Sequence, residues 1–236
     1  YMLIGATVLT YVIGPIALHA FRKHAPELKR PFRLSGASVI APIGFIGAGL
    51  IVYWSGFSTL SLVYGSVFIG LSFFYFFYAP SKIGLNKTYS YVVGIILLIS
   101  MVFTSYWSYA MIDYPPPTET FMQNLEAFLL VYILDLVLVI GTTLATYRMV
   151  KPEQKEIFKS SGWLLALIFI SFLISYFGAF GVTTIIPNAP VISFLQFPWD
   201  TIIMIVFLFI WYLFGVGAGY KTEDLKAAIE EQATPE

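Results

Sequence analysis

"TIIMIVFLFIWYLFGVGAG", residues 201–219, contains no charged residue, and its apolar side chains do not alternate with polar ones. A segment that crosses lipid must satisfy its backbone hydrogen bonds internally, and only helices and closed barrels do so. The strands of a membrane barrel alternate apolar and polar residues over about ten positions. This stretch therefore predicts a membrane-spanning helix and decides the fold class.

The whole chain has the composition of a membrane protein. Of its 236 residues, 58% are hydrophobic and 11% are charged, whereas a soluble domain carries about 25% charged residues. Cysteine is absent, which excludes disulfides and cysteine-based metal sites. The net charge of zero gives no indication of a nucleic acid partner. The apolar composition makes the lipid bilayer the expected partner, and no cofactor is expected.

Seven apolar segments approach the length of about 20 residues that the hydrocarbon core requires. Helix breakers separate them, such as the three consecutive prolines at 115–117, which cannot continue a helix. The predicted fold is an all-α bundle of about seven transmembrane helices. Their expected ranges are about 2–20, 36–54, 57–79, 89–112, 121–147, 161–180 and 199–219.

All thirteen basic residues fall on one side of this arrangement. Each follows an odd-numbered span and precedes an even-numbered one, or lies in the tail after the seventh. Short loops rich in Lys and Arg lie on the cytoplasmic side of a membrane. We therefore expect the C-terminus on the cytoplasmic side of the cell membrane and the start of the chain on the outer side. Five basic residues form a cytoplasmic loop that fixes topology, with an anionic lipid site as the alternative: Arg22, Lys23, Lys29, Arg30 and Arg33.

The same loop carries a family resemblance. The stretch "YVIGPIALHAFRKHAPELKRPFRLSGASVIAPIGF", residues 11–45, resembles amino acid permeases of the amino acid–polyamine–organocation (APC) superfamily. These proteins often have a Gly-Pro turn in a late helix, then basic residues, then "RPFRLPG". Gly14 and Pro15 match the turn and form a candidate helix hinge, whereas Ser35 replaces the usual proline.

Two motifs near the C-terminus resemble one branch of this superfamily that includes proton-coupled amino acid symporters. They are "SYFGAFG" (175–181) and "FPWD" (197–200), and Val182 stands where that branch often has a second glycine. The resemblance covers two parts of the chain. Residues 1–80 would contain a late core helix, the basic loop and two following spans, and residues 158–220 would contain the last two spans. Residues 81–157 are expected to be an inserted pair of spans, and 221–236 a cytoplasmic tail.

The resemblance implies a LeuT-like transporter fold. In such permeases the substrate sits near the membrane midplane, at breaks in two early helices that lie upstream of the matched motif. We therefore expect this chain to be the C-terminal part of a proton- or cation-coupled amino acid symporter, with its substrate-binding residues upstream of Tyr1. The alternative is a non-transporting membrane scaffold or oligomerisation module, for which a homo-oligomer would be the partner.

An enzyme is not expected, because no constellation of His and Asp is visible near one interface. His19 and His24 flank the end of the first span without a third ligand, so they are interpreted as interfacial side chains and no metal site is expected. The glycines of 44–49 and 215–219 are predicted to allow close helix packing. Aromatic residues near the predicted outer ends, such as Tyr53, are expected to form an interfacial belt.

Two acids lie in the fifth predicted span, Asp135 near its middle and Glu126 nine residues earlier. At about 100° per residue they lie on opposite faces of a helix. An ionisable residue inside the membrane is a functional candidate by default, so Asp135 is the candidate for proton coupling. The alternative is that Asp135 only forms a hydrogen bond with a Ser or Thr of a neighbouring helix.

Overall fold

A computed structural model describes residues 2–27, 34–108, 120–181, 194–219 and 229 of the chain. Seven long helices lie in this part of the chain, one at each predicted span, and it contains no strand. The all-α prediction is confirmed. The helices are α1 (Met2–His24), α2 (Ala37–Trp54), α3 (Phe57–Lys82), α4 (Lys87–Ser108), α5 (Phe121–Met149), α6 (Lys155–Phe177) and α7 (Trp199–Gly217).

Helices α2, α3, α4, α5 and α7 are long and apolar enough to cross a membrane, and Gly162–Phe177 of α6 is a shorter apolar helix. Many large apolar side chains remain exposed on their outer faces. On α7, for example, Phe209 and Leu213 are exposed while Leu208 and Tyr212 are buried. A helix that is apolar all round belongs in lipid or in a protein core. The chain is a polytopic membrane helix bundle.

Local signals set several helix boundaries. Gly56, between α2 and α3, has a φ of 89°, which glycine adopts far more readily than other residues. The α5 helix begins with a capping box, in which Thr120 Oγ1 accepts from the Gln123 amide and Gln123 Oε1 accepts from the Thr120 amide. Each of these bonds satisfies a donor that would otherwise be unpaired at the helix start.

Helix α3 contains a π-helical turn at Phe74–Tyr78. Tyr75 in this turn is buried, and its hydroxyl lies 2.7 Å from Thr146 Oγ1 of α5. The Tyr89 hydroxyl of α4 lies 3.1 Å from the same threonine oxygen. These contacts join the late part of α3, the start of α4 and the end of α5.

The helices pack around two apolar clusters. One lies among α1, α2 and α7 and includes Phe45 and Leu208. The other lies among α3, α4, α5 and α6 and includes Leu97 and Phe128. Helix α6 contributes to both clusters. The pair expected to be inserted, α4 and α5, therefore packs as an integral part of the bundle.

Small residues allow the closest helix approaches. A Cβ at Gly49 would lie 2.6 Å from a Leu208 methyl group, and one at Gly215 would lie 2.6 Å from the Trp163 ring. The packing prediction is confirmed for these two glycines. The approach at Gly215 lets Trp163 Nε1 donate to the Trp211 carbonyl at 2.7 Å, and Trp211 Nε1 donate to the Trp163 carbonyl at 2.9 Å.

Candidate functional sites around two buried aspartates

Asp200, in the first turn of α7, is fully buried and accepts three hydrogen bonds. The Tyr53 hydroxyl donates to Oδ2 at 2.7 Å, and the Ala179 amide donates to the same oxygen at 3.0 Å. The Thr201 amide donates to Oδ1 at 2.6 Å. A carboxylate at a helix N-terminus is also favoured by the helix dipole. We call Asp200, Tyr53, Ala179 and Thr201 the Asp200 cluster.

The Asp200 cluster and a neighbouring backbone bond join the ends of four helices. Tyr53 comes from the end of α2, Ala179 from the turn after α6, and Asp200 from the start of α7. The first amide of α3, that of Phe57, donates to the Phe180 carbonyl at 3.1 Å. The cluster therefore brings together the two C-terminal motifs, 175–181 and 197–200.

Gly178 is required by this arrangement. A Cβ at Gly178 would collide with the Tyr53 hydroxyl, whose position is set by its bond to Asp200. No larger residue fits there unless Tyr53 moves. The glycine in the middle of "SYFGAFG" thus has a packing reason that sequence alone did not reveal.

The belt expectation is wrong for Tyr53. Its side chain is fully buried, and its ring meets the Phe180 ring edge-on at 6.2 Å. The physical reason is that its hydroxyl has a carboxylate partner within the bundle. Sequence analysis included Asp200 in the "FPWD" motif but did not assign it a role. Its place directly after "FPW" at a helix start was the available signal.

Asp135, on α5, is also fully buried but accepts one hydrogen bond, from Ser100 Oγ of α4 to Oδ1 at 3.2 Å. Its Oδ2 has no hydrogen-bond partner, and neither has the Tyr64 hydroxyl of α3. The Tyr64 hydroxyl lies near the Asp135 carboxylate but outside hydrogen-bond geometry. We call Asp135, Ser100 and Tyr64 the Asp135 cluster.

Aromatic rings surround the Asp135 cluster. The Tyr64 ring stacks on Phe172 at 4.4 Å and meets Phe169 edge-on at 5.0 Å. Tyr132, one turn before Asp135, donates its hydroxyl to the Phe169 carbonyl at 3.2 Å. The carboxylate is therefore held where three helices meet, in a setting that is otherwise apolar.

The structure confirms two expectations for α5. Asp135 forms a hydrogen bond with a serine of a neighbouring helix. Glu126 is exposed while Asp135 is buried, as expected for opposite faces. The participation of Tyr64 was missed, because an aromatic residue among many gives no signal in the sequence. Proton coupling through Asp135 stays a prediction.

The candidate hinge lies where α1 and α2 approach each other. Helix α1 continues through Pro15, and a Cβ at Gly44 of α2 would lie 3.7 Å from the proline ring. A Cβ at Gly14 would meet nothing within 4 Å. The structure thus places Gly14 and Pro15 inside a continuous helix, and a hinge motion there stays a prediction.

The basic loop is described in part. Arg22 donates from Nη2 to the Leu34 carbonyl at 2.9 Å, which links the end of α1 to the segment before α2, and Lys23 is exposed. The other three predicted loop residues, Lys29, Arg30 and Arg33, lie outside the described residues.

The two histidines join α1 to α7. His19 Nδ1 lies 2.8 Å from the Tyr212 hydroxyl, and His24 Nε2 donates to the Val216 carbonyl at 3.0 Å. Both are half-buried against α7, and their position at the membrane interface stays a prediction. The described residues contain no group of three His, Asp or Glu that could hold a metal ion.

The chain is similar to parts of two transporters of Bacillus subtilis (strain 168). It is 35% identical to the glutamate/serine transporter AimA over 103 residues, which are 43% of this chain and 19% of that protein. It is 49% identical to the aspartate-proton symporter over 61 residues, which are 26% of this chain and 12% of that protein.

No protein-family model and no solved structure matches the chain. The chain matches about a fifth or less of the length of each of these two curated relatives. Both relatives are named as transporters and not as enzymes. The resemblance to amino acid permeases is confirmed.

Proposed function

We propose that this bundle is part of a secondary amino acid transporter, where it supports the helices that hold the substrate and has no complete substrate site of its own. The similarity to two amino acid transporters carries this proposal. Their names make glutamate, serine and aspartate the substrates to try first. One relative is a proton symporter, so a proton is the first coupling ion to test, with another cation as the alternative.

The geometry of the bundle favours a role in holding the substrate-binding helices in place. Transporters of this kind hold substrate carboxylates and ions at helices that are broken near the midplane. The described helices are continuous, and only α3 departs from α-helix, through its π turn. The Asp200 carboxylate is already occupied by three donors.

The orientation in the membrane is the next part of the proposal. The charge distribution supports a cytoplasmic position for all thirteen basic residues. The chain has no cysteine, so single cysteines can report sidedness. In intact cells, cysteines at Ser81 and Ser160 should resist an impermeant thiol reagent, whereas cysteines at Thr118 and Asn188 should react. The reverse pattern would contradict this orientation.

For Asp135 we propose an interhelical hydrogen bond as the main role. The bond from Ser100 supports this role, because it joins α5 to α4. Proton coupling is the second candidate, favoured by the carboxylate oxygen that has no hydrogen-bond partner. An ionisable group inside a membrane is energetically costly, which makes it a functional candidate by default. The effect of Asp135→Asn on pH-dependent uptake separates the two roles.

The direct test uses the complete reading frame that contains these residues, reconstituted in liposomes. Uptake of radiolabelled glutamate, aspartate and serine is measured with and without an inwardly directed proton gradient, and AimA is the positive control. We expect saturable uptake of at least one of the three, faster with the gradient. A folded, correctly inserted protein that transports none of them would contradict the proposal and favour the scaffold alternative.

A further inference from the structure

A groove of about 350 Å³ lies between α5 and α6. Apolar side chains such as Leu136, Ile140 and Leu165 line it, and Gly162 and Ala166 leave its floor open. The hydrogen bond from Tyr132 to the Phe169 carbonyl joins the two helices at one end of the groove. The other end of the groove, at Leu144 and Gly162, lies toward the connection between α5 and α6.

The length of the groove matches one leaflet of a bilayer. Its lining on α5 runs from Tyr132 to Leu144, and twelve residues at about 1.5 Å each span about 18 Å. Half of a hydrocarbon core of about 30 Å is about 15 Å. A single acyl chain, entering from one membrane face and ending near the midplane, would therefore fill the groove from end to end.

The end of the groove at Leu144 and Gly162 is basic. Ile140 and Leu144 line the groove, and Arg148 lies one turn further on the same face of α5. Lys155, at the start of α6, holds its ammonium 5.0 Å from the centre of the Tyr147 ring. Across residues 148–159 the sequence has four basic residues and two acidic ones, Glu153 and Glu156, so this end carries a net charge of about +2.

We infer that this groove binds one anionic phospholipid, with an acyl chain between α5 and α6 and its phosphate at Arg148 and Lys155. Basic pockets at the end of a transmembrane helix pair attract anionic lipid headgroups, and Arg pairs well with phosphate. The lipid belongs to the leaflet on the basic side of the bundle. This inference stands whether or not the bundle takes part in amino acid transport.

Two pairs of variants test the inference on the complete protein. A Cβ at Gly162 would meet nothing within 4 Å, so Gly162→Leu should fill the groove without disturbing the fold. Gly141→Leu is its control, because Gly141 is exposed on α5 and its Cβ also meets nothing. The second pair consists of two double variants. Arg148→Gln/Lys155→Gln removes the charges at the groove, and Lys82→Gln/Lys87→Gln, at another basic turn, is its control.

Native mass spectrometry then counts phosphatidylglycerol and phosphatidylcholine retained by each protein. Wild type and both controls should keep one phosphatidylglycerol. Gly162→Leu should bind it at least about tenfold more weakly, and the double charge variant should lose its preference for phosphatidylglycerol over phosphatidylcholine.

Several results would overturn the inference. Gly162→Leu could bind phosphatidylglycerol as Gly141→Leu does, or the charge variant could keep its preference. Inorganic phosphate at millimolar concentration could displace the lipid, which would place recognition in the headgroup alone. A wild-type dimer that Gly162→Leu dissociates would show that a second copy of the chain covers the groove.

Discussion

The part of the bundle that the structure describes contains two fully buried aspartates with different surroundings. Asp200, at a helix end, accepts three hydrogen bonds, two of them from backbone amides. Asp135, in the middle of α5, accepts one and has an oxygen without a partner. Burial alone therefore does not reveal the role of an acid in this bundle. The number and kind of its donors separate an acid that fixes the fold from one that can change partners.

The difference has an energetic consequence. Removing an acceptor leaves its buried donors unpaired, and each costs about 1–3 kcal/mol. At Asp200 the unpaired donors would include the Ala179 and Thr201 amides, which cannot rotate away. At Asp135 the Ser100 hydroxyl can rotate toward a carbonyl of its own helix. We expect the bundle to depend strongly on Asp200 and weakly on Asp135.

The largest effect is expected for Asp200→Ala. Loss of the carboxylate leaves the Tyr53 hydroxyl and two amides unpaired, so the free energy of unfolding should fall by about 3 kcal/mol or more. Unfolding of the purified protein in detergent, followed by circular dichroism, measures this change. Glu126→Ala is the control, because Glu126 is exposed and should change stability by less than about 0.5 kcal/mol.

Gly178→Ala should have the next largest effect. The new methyl group would collide with the Tyr53 hydroxyl, so Tyr53 must move away from Asp200, at a cost of about 1–3 kcal/mol. Gly141→Ala, where a Cβ meets nothing, should be neutral or stabilising. If both variants unfold under the same conditions, close packing at Gly178 does not support the Asp200 cluster.

Tyr53→Phe isolates one hydrogen bond of the Asp200 cluster. The variant keeps the ring but removes the donor at 2.7 Å from Oδ2, while the Ala179 amide still donates to that oxygen. We expect a loss of about 1.5 kcal/mol, as for a bond to a charged acceptor. In the Asp200→Asn background, Tyr53→Phe should lower the free energy of unfolding by a smaller amount. Equal costs in both backgrounds would mean that the two side chains are not coupled.

The smallest effect is expected for Asp135→Asn. The amide oxygen can still accept from Ser100, and interhelical hydrogen bonds in membranes average about 0.6 kcal/mol, so stability should change by less than about 1 kcal/mol. In the complete protein, uptake should keep its dependence on pH. If uptake persists but no longer responds to pH, Asp135 belongs to the proton route. The two aspartates would then differ in function as well as in their contribution to stability.

Sequence analysis predicted the seven helices because long apolar runs and their breakers are local features. A hydrogen bond from a Ser or Thr of a neighbouring helix was one of its two alternatives for Asp135, and Ser100 provides that bond. Sequence analysis could not predict the Asp200 cluster. Tyr53 and Asp200 are 147 positions apart, and no local pattern distinguishes a buried tyrosine from the other aromatic residues near span ends. Similarly, the reciprocal bonds between Trp163 and Trp211 depend on how α6 and α7 approach each other.

The central claim is that these seven helices support a transporter without forming a substrate site. Its most direct test is uptake by residues 1–236 alone, purified, shown to be folded, and reconstituted in liposomes. Radiolabelled glutamate, aspartate and serine are offered with an inwardly directed proton gradient, with AimA as the positive control. We predict uptake equal to that of empty liposomes. Saturable uptake of any of the three by residues 1–236 would place a complete site within these helices and contradict the claim.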